Sequence, residues 1–452
     1  MRSIFILLFL LAFSVKGQYT ANWESLDKRP TPNWFEDAKF GIFIHWGIFS
    51  VPSWATKSNA DGFGSGYSEW YWQRLHTPKL KIHKEFTAFH KKNYGDASYQ
   101  DFVQQFKAEL YNPADWAQIF KNSGAKYVVL TSKHHEGFTL WPSKESWNWN
   151  AVDVGPHRDL AGDLSQAVKV AGLHMGFYYS LYEWYNPNYL SDVNQYVAER
   201  MIPQMKDLVT SYKPDILWTD GEWEHPASTW KSEEFLSWLF NDSPVKANIV
   251  VNDRWGNDTR GVHGSFATSE YGHGGTDNSE TGDFQRPWEE CRGMGESFGY
   301  NRNENLADYQ SGKALIHELI DVVSRGGNFL LNIGPTADGR IPVIMQQRLQ
   351  EIGDWLAVNG AAIYESRRWR EAPEMEHVKF TQKGEKIYAI VTEWESHLKI
   401  PLHRKPKQVI LLGSSDATEF NYSGTDLSIT APVVSPGSDL AASSAWVYEI
   451  SF

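Results

Sequence analysis

The sequence is poor in three features that would each place it in a class of protein. Cys291 is the single cysteine in 452 residues, which excludes an intramolecular disulfide and disfavours a thiol nucleophile or a cysteine metal site. After the N-terminal segment, no run approaches the ~20 apolar residues that a membrane-spanning helix needs. The 43 basic residues are outnumbered by 55 acidic ones, and a net charge of −12 argues against a nucleic-acid partner. What remains, 41% hydrophobic and 22% charged residues, is typical of a globular protein.

Residues 1–17 have the pattern of a secretory signal peptide. Met1-Arg2 precedes an apolar run over 4–15 that is too short to span a bilayer, and small residues suited to cleavage come before Gln18. Three N-x-S/T sequons, consistent with glycosylation in the secretory route, begin at Asn241, Asn257 and Asn421. We therefore expect a soluble glycoprotein without membrane insertion. It would be secreted or delivered to lysosomes, since a signal peptide and sequons serve both destinations.

Apolar runs alternate with amphipathic helical patterns along most of the chain. Strands are predicted at 40–47, 127–131, 174–180, 215–219, 248–251, 265–269 and 328–333. Helices are predicted at 112–123, 159–171, 193–212, 313–324 and 343–358, with a kink at Pro203 and irregular loops over 51–92. This alternation indicates parallel βαβ units, and no Gly-rich phosphate motif follows the first strand. The pattern favours a (β/α)8-like TIM barrel over a doubly wound sheet.

The character of the chain changes after about residue 364. Short β-prone runs at 387–394, 408–412, 427–430 and 446–452 are separated by turn residues, and helical periodicity is absent. This pattern predicts a small C-terminal antiparallel β-sandwich. The predicted organisation is a signal peptide over 1–17, a catalytic barrel over 18–364 and the sandwich over 365–452.

Polar side chains collect where the apolar runs end. The residues at these ends are His45, His134, His135, Tyr178, Asp220, Arg254 and Glu270. In a closed barrel the ends of the strands converge on one rim, where active sites form. Two carboxylates among His, Tyr, Arg and Trp suit the hydrolysis of a glycoside, because one acid can protonate the leaving oxygen while the other attacks the anomeric carbon or activates water.

Structural explanations stay open for each of these residues. Asp220-Gly221 is also a common turn pair, and Arg254 could pair with a structural Asp. Core packing or surface exposure would explain Trp46, Trp70, Trp218, Glu222 and Glu289. Adjacent residues of a strand point to opposite faces, and no H-x-H or HExxH spacing occurs, so we predict no metal at the His134-His135 pair and no cofactor.

Eight motifs, in order, resemble those of the α-L-fucosidases of glycoside hydrolase family 29. The resemblance runs from about Trp34 to the C-terminus. The motifs are KFGIFIHWG from Lys39, SEWY from Ser68, SKHHEGF from Ser132, YYS from Tyr178, WTD from Trp218, VNDRWG from Val251, SFGYN from Ser297 and GGNFLLNIGP from Gly326. The number of motifs and their shared order make the resemblance specific.

The resemblance implies an exo-acting, retaining hydrolase that releases terminal α-L-fucose through a covalent fucosyl-enzyme intermediate. Asp220 matches the nucleophile. Positions that bind fucose in the family match His45, Glu69, Trp70, His134, His135, Tyr178, Trp218 and Arg254. The acid/base varies in position within the family: Glu270 resembles the bacterial pattern and is the first choice, and Glu289 resembles a position proposed for animal members.

The expected partners are fucosylated oligosaccharides or glycoproteins, and a homo-oligomer is considered because relatives often assemble. A second hypothesis is a catalytically weak fucose-binding protein that keeps the pocket on the same fold. A third is a barrel glycosidase for another sugar, such as an α-galactosidase-like enzyme, which the fucose-pocket motifs disfavour. The linkage preference depends on loops around the leaving group and is not predicted.

Overall fold

Eight parallel strands form one strongly curved sheet, with a short antiparallel strand at one edge. The computed structural model describes residues 18–274 and 286–452, so the predicted signal peptide lies outside the described residues. The strands are β1 (Phe40–Ile44), β2 (Tyr127–Lys133), β3 (His174–Ser180), β4 (Ile216–Asp220), β5 (Val250–Val251), β6 (Ala267–Glu270), β7 (His273–Gly274), β8 (Trp288–Gly293) and β9 (Asn328–Ile333). Their order in the sheet is β5-β4-β3-β2-β1-β9-β8-β6-β7, and β7 is the antiparallel strand. The predicted (β/α)8-like barrel is confirmed.

The strands of the barrel are covered on both faces, which explains their nearly continuous apolar sequences. All residues of β1 and β2 are buried. Gly41 of β1 pairs with Tyr127 of β2, and a Cβ atom at Gly41 would lie 2.4 Å from the Tyr127 ring. The glycine therefore makes room for an aromatic ring inside the barrel. β5 and β6 are not paired as strands of the sheet. Next to this gap, the amide of Ser265 donates to the carbonyl of Val251 at 2.8 Å.

Helices surround the sheet, and one of them, α5 (Pro113–Asn122), begins at the capping residue that the sequence predicts. They are α1 (Trp23–Leu26), α2 (Asn33–Ala38), α3 (Tyr71–Leu75), α4 (His83–Tyr94), α5 (Pro113–Asn122), α6 (Leu160–Val170), α7 (Pro187–Ser191), α8 (Val193–Tyr196), α9 (Ile202–Tyr212), α10 (Ala227–Trp230), α11 (Ser232–Asn241), α12 (Gly312–Ser324) and α13 (Val343–Asn359). Asn112 caps α5, with Pro113 in its first turn, and Asp159 caps α6. Within the described residues, no helix is both long enough and apolar enough to cross a membrane.

Three features of the barrel differ from the sequence prediction. The region 51–92 contains α3 and α4, and α4 buries only Phe86 and His90, so its apolar periodicity is weak. The eighth parallel strand, β8, was not predicted because Glu289 and Glu290 lie within it and resemble a loop sequence. The predicted helix over 193–212 is present as one uninterrupted helical run, but it contains an unpredicted π-helical stretch (Val197–Met201) just before Pro203. Proline lacks the N–H that would bond to the preceding helical turn, and the π-helical stretch lies where that bond is missing.

The C-terminal part contains two antiparallel sheets. The five-stranded sheet, in the order β10-β11-β12-β17-β14, consists of β10 (Arg367–Arg368), β11 (Val378–Lys383), β12 (Lys386–Val391), β14 (Gln408–Leu411) and β17 (Trp446–Ser451). The three-stranded sheet, in the order β13-β16-β15, consists of β13 (His397–Pro401), β15 (Glu419–Tyr422) and β16 (Asp426–Thr430). They share a hydrophobic core, while Tyr388, Ile390 and Val447 belong to the core of the barrel. The predicted sandwich is confirmed, and it packs directly on the barrel.

Candidate active site

A cavity of about 380 Å³ opens at the carboxyl ends of the barrel strands. Every predicted catalytic and fucose-binding residue except Glu289 lines it: His45, Glu69, Trp70, His134, His135, Tyr178, Trp218, Asp220, Arg254 and Glu270. These residues come from the ends of six strands, β1 to β6, and from the loop after β1. Because parallel strands end on the same rim, the fold brings together side chains that lie up to 225 positions apart in the sequence.

Asp220, the last residue of β4, is buried and surrounded by donors. The Tyr178 hydroxyl donates to its Oδ2 at 2.9 Å, and Nη1 of Arg254 donates to its Oδ1 at 2.7 Å. His135 Nε2 lies 3.9 Å from Oδ2, and Arg260 Nη2 lies 3.9 Å from Oδ1. Burial alone would raise the pKa of Asp220, but the positively charged guanidinium groups of Arg254 and Arg260 bring it well below its ordinary value. The carboxylate is therefore ionised.

Arg254 connects the two carboxylates of the rim. Its guanidinium is 2% exposed and donates from Nη1 to Asp220 and from Nη2 to Glu270 Oε2, the latter at 3.4 Å. Its Nε donates to Thr268 Oγ1 at 3.0 Å, and its Cζ atom lies 4.4 Å from the centre of the Trp218 ring. The Tyr67 hydroxyl donates to the other oxygen of Glu270 at 3.0 Å. One rigid guanidinium thus holds Asp220 and Glu270 on the same side of the cavity.

Glu289 lies deeper, in the interior of the barrel, and does not line the cavity. It is fully buried on β8, where the Tyr127 hydroxyl donates to its Oε2 at 2.6 Å and Trp218 Nε1 donates to its Oε1 at 2.9 Å. Burial raises the pKa of Glu289 to about 7, against the opposing effect of these two hydrogen bonds. The carboxyl group fixes the orientation of the Trp218 ring from below.

Two histidines of the cavity are held by their Nδ1 atoms. His45 Nδ1 lies 2.7 Å from Asn332 Oδ1, an acceptor, so Nδ1 carries the proton and Nε2 is left as an acceptor. His135 Nδ1 lies 2.7 Å from Ser180 Oγ, whose own proton is donated to the Tyr182 carbonyl, so the same tautomer is favoured. Burial lowers the pKa of His45 to about 3 and that of His135 well below its ordinary value. Both rings are therefore neutral.

His134 and His135 both face the cavity, against the expectation that adjacent residues point in opposite directions. The reason is that β2 ends at Lys133, so the pair lies in the following turn. Their ring centres are 4.0 Å apart. Within residues 18–274 and 286–452, no group of three or more His, Cys, Asp or Glu side chains is arranged to hold a metal ion.

Glu69 and Trp70 form one side wall of the cavity. Glu69 is buried, and its Oε2 accepts from the amide of Gly299 at 2.8 Å and from Ser297 Oγ at 3.3 Å. Burial raises the pKa of Glu69. The Trp70 ring lies 4.9 Å from the His135 ring and 5.9 Å from the Trp223 ring, so the wall is largely aromatic.

Several further residues line the cavity that the sequence reasoning did not select: Phe43, Phe63, Gly64, Tyr67, Arg74, Trp223, Arg260, Cys291 and Phe298. Most of them lie in loops, where no strand end marks a direction towards the rim. Phe43 and Phe298 lie inside the KFGIFIHWG and SFGYN motifs, and Tyr67 directly precedes the SEWY motif, so the motifs were the available indication for these three residues. Cys291 is 1% exposed, and burial raises the pKa of its thiol well above the ordinary value.

The three sequons differ in accessibility. Asn257 and Asn421 are exposed. Asn241 is partly buried at the end of α11, and its Nδ2 donates to the backbone carbonyls of Tyr19 and Ser237, each at 2.7 Å. The Asn241 amide is therefore engaged in the fold.

Comparison with known proteins identifies the family of the chain. The family model described as alpha-L-fucosidase matches residues 9–361. The chain belongs to the α-L-fucosidase family. This α-L-fucosidase is 43% identical to the tissue alpha-L-fucosidase of Homo sapiens over 450 residues, covering 96% of the chain and 92% of the human protein. It is likewise 43% identical to the tissue alpha-L-fucosidase of Bos taurus over 448 residues, covering 96% and 91%.

Solved structures extend the comparison to the fold. The alpha-fucosidase of Thermotoga maritima, in complex with a mechanism-based inhibitor, superposes with a TM-score of 0.81 at 37% identity, covering 96% of this chain and all of that chain. The same bacterial enzyme in complex with fucose gives a TM-score of 0.79 at 36% identity with the same coverage. Membership of this family makes the enzyme a glycosidase with α-L-fucosidase activity.

Proposed function

We propose that this α-L-fucosidase is exo-acting and retaining, and that it releases terminal α-L-fucose through a covalent intermediate on Asp220. The observation that carries the proposal is the Arg254 guanidinium, which binds Asp220 and Glu270 at the same time. Retention needs two carboxyl groups about 5–5.5 Å apart, one ionised and one able to deliver a proton. Two carboxylates on neighbouring nitrogens of one guanidinium are compatible with such a separation.

In the first step, Asp220 attacks the anomeric carbon of fucose while Glu270 transfers its proton to the leaving glycosidic oxygen. The C–O bond to the leaving group breaks, and the fucosyl ester of Asp220 forms. In the second step, Glu270 takes a proton from water, the water oxygen attacks the same carbon, and Asp220 leaves as a carboxylate. Arg254 and Tyr178 stabilise the ionised Asp220 at the start and at the end of the cycle.

The acid/base assignment to Glu270 rests on access. Glu270 lines the cavity and its side chain is 19% exposed, so it can reach both a leaving group and water. Glu289 is fully buried, and each of its oxygens already has a partner in Tyr127 or Trp218. We therefore assign the proton transfer to Glu270 and a supporting role beneath Trp218 to Glu289.

The fucose ring would be bound by neutral imidazoles and an aromatic wall. His45 and His135 each present Nε2 as an acceptor for a sugar hydroxyl, and His134 adds a third ring at the same depth. Trp218 supplies an apolar surface suited to the fucose methyl group. Glu69 and Trp70 close the pocket from the side.

The leaving sugar would occupy a second cavity of about 290 Å³ that adjoins the first. The two cavities share Phe63, Gly64 and Tyr67 as lining residues. Tyr67 donates to Glu270, and Tyr271 directly follows Glu270, so this groove lies next to the group that would protonate the leaving oxygen. Aromatic rings at that place fit the pyranose of a fucosylated oligosaccharide or glycoprotein.

We also propose that the enzyme acts in the secretory pathway, either outside the cell or in lysosomes. The proposal is supported by the signal-peptide pattern over 1–17, by two exposed sequons, and by its similarity to proteins named tissue and plasma alpha-L-fucosidases. A homo-oligomer stays a prediction from the resemblance.

The test is a panel of aryl glycosides assayed on the protein from Gln18 onwards, with the variants Asp220→Ala, Glu270→Ala and Glu289→Ala. We expect selective cleavage of the α-L-fucoside, loss of turnover in Asp220→Ala, and rescue of Glu270→Ala by azide, which can replace the missing base. Proton NMR should show α-L-fucose as the first product. β-L-Fucose as the first product would exclude retention, rescue of Glu289→Ala would reverse the acid/base assignment, and fucose binding without cleavage would favour a fucose-binding protein.

A further inference from the structure

A second guanidinium faces the carboxylate of Asp220. Arg260 lies in the loop after β5, and its side chain is 25% exposed on the wall of the cavity. Nη2 of Arg260 is 3.9 Å from Asp220 Oδ1, the oxygen that also accepts from Arg254. This residue was selected neither by a strand end nor by a motif.

Glu222 holds Arg260 in this position. Gly221, with φ +76°, turns the chain directly after Asp220, so that Glu222 lies near the charged side chains that surround Asp220. Glu222 is 1% exposed, and its Oε1 accepts from Arg260 Nε at 2.5 Å. Its Oε2 is buried and has no hydrogen-bond partner within the described residues. Burial raises the pKa of Glu222, with Arg260 opposing this effect and Asp220 adding to it.

The charges of the cluster are linked in a chain. Arg254 is shared between Asp220 and Glu270, and Arg260 is shared between Asp220 and Glu222. The titratable and charged groups that face Asp220 are His45, His135, Tyr178, Glu222, Arg254 and Arg260, with Glu270 behind Arg254. Three carboxyl groups therefore compete for two guanidinium groups, and Asp220 is the only one in contact with both.

Attack on the substrate changes this balance. When Asp220 becomes an ester it loses its charge, and each guanidinium is left with one carboxyl group of its own: Arg254 with Glu270, and Arg260 with Glu222. A cation paired only with Asp220 would stabilise the free carboxylate and would lose that partner on attack, which would slow the reaction. Glu222 offers Arg260 an alternative partner at that moment.

We propose that Arg260 and Glu222 are a pair of positioning residues for the nucleophile, in which Arg260 keeps Asp220 ionised and Glu222 limits how strongly it is held. The proposal rests on the assignment of Asp220 as nucleophile. A salt bridge that only stabilises the loop would also explain the 2.5 Å contact between Arg260 Nε and Glu222 Oε1. It would not require Nη2 of Arg260 to lie 3.9 Å from Asp220. The two explanations differ in the pH dependence of catalysis.

The experiment uses 2-deoxy-2-fluoro-α-L-fucosyl fluoride, which forms the covalent ester but hydrolyses it slowly. The labelling rate is measured as a function of pH. The fall of this rate at low pH, called the acid limb, reports protonation of the nucleophile. Mass mapping of the labelled peptide identifies which residue the nucleophile is. Label on Asp220 establishes the nucleophile independently of Arg260. Label on another residue would overturn Asp220 as the nucleophile and, with it, the positioning proposal. Label on Asp220 with an unchanged pH profile in Arg260→Met would overturn the positioning proposal alone.

Arg260→Met should move the acid limb of the profile to higher pH, with labelling on that limb at least tenfold slower than in the wild type, because Asp220 loses one cation and faces a Glu222 carboxyl group that has lost its guanidinium partner. Glu222→Gln should leave the acid limb at or below its wild-type position while lowering the labelling rate severalfold. The double variant should recover at least threefold over Arg260→Met. Arg260→Lys, which keeps the charge, should label more like the wild type.

Arg348→Met is the matched control, because Arg348 forms an ion pair with Glu351 on α13, away from the cavity. It should leave the labelling profile unchanged. Thermal unfolding of each variant separates loss of fold from loss of function, and the Glu222→Gln and Arg260→Lys profiles keep the test decisive if Arg260→Met does not fold. An acid limb that coincides with the wild type in Arg260→Met, or an additive loss in the double variant, would overturn the proposal.

Discussion

Glu289→Gln should stabilise the enzyme at neutral pH and leave its catalysis intact. Glu289 is fully buried between Tyr127 and Trp218, and burial raises its pKa from 4.5 to about 7. Glutamine can keep both contacts, accepting from Trp218 through its carbonyl and donating to the Tyr127 oxygen through its amide. It has no charge to lose or gain, so the cost of ionising a buried group disappears.

The sign of the effect follows from proton linkage. The folded protein keeps a proton on Glu289 that the unfolded chain releases between pH 4.5 and about 7, so the free energy of unfolding falls as the pH rises through this window. The difference between the two pKa values corresponds to about 3 kcal/mol at pH 7 and above. Below pH 4.5 the side chain is protonated in both states, and the variant and the wild type should have similar stability.

Urea unfolding, followed by tryptophan fluorescence between pH 4.5 and 8, measures this difference. The midpoint of the variant should exceed that of the wild type by an amount that grows with pH. Glu24→Gln, an exposed site, is the control and should show no such trend. Parallel pH profiles of the variant and the wild type would refute the raised pKa, and a loss of aryl-fucoside turnover of more than a hundredfold would place Glu289 in the catalytic machinery.

Three further predictions concern stability, glycosylation and the leaving group. Lys133→Met should destabilise the protein by about 3–5 kcal/mol in urea unfolding, because it breaks the fully buried ion pair with Glu183. Lys28→Met, which breaks an exposed ion pair with Glu24, should change stability by less than about 0.5 kcal/mol. Equal effects of the two substitutions would contradict this prediction. In protein secreted from a glycosylating host, Asn421→Gln should lower the intact mass by one glycan, because Asn421 is exposed. Asn241→Gln should not lower the mass, because the Asn241 amide already donates to the Tyr19 carbonyl. A glycan mapped to Asn241 would contradict this prediction. Phe63→Ala should lower kcat/KM for a fucosyl disaccharide by about tenfold more than kcat/KM for α-L-fucosyl fluoride, which has no leaving sugar. Equal losses would contradict a role of Phe63 in binding the leaving sugar.

The sequence predicted the barrel well where strands are buried on both faces. The run FGIFI of β1 is apolar throughout, and β2, β3 and β9 contain the apolar stretches YVVL, MGFYY and FLL. The sequence failed at β8, because a strand that carries Glu289 and Glu290 reads as a surface segment until Tyr127 and Trp218 are known to pair with Glu289. That pairing joins residues more than 70 positions apart, which no local pattern reveals.

The site was predictable to a similar extent and for the same reason. Residues at strand ends, such as Asp220, were found because a barrel places all such ends on one rim. Residues on loops, such as Phe63 and Arg260, were missed because their direction is set by contacts with other loops and with Glu222. His134 and His135 were expected to diverge, and they converge because the strand ends one residue before them.

The position of Cys291 limits the thiol chemistry through which the surroundings could act on the enzyme. The only thiol of the chain lies on the wall of the cavity, where an oxidised or alkylated sulfur would obstruct the substrate. Burial keeps that thiol in its protonated form, and the thiolate is the species that reacts with oxidants and disulfides. The enzyme therefore offers no disulfide to a reducing lysosome and no reactive thiolate to an oxidising extracellular fluid. Neither environment could change its activity through a cysteine.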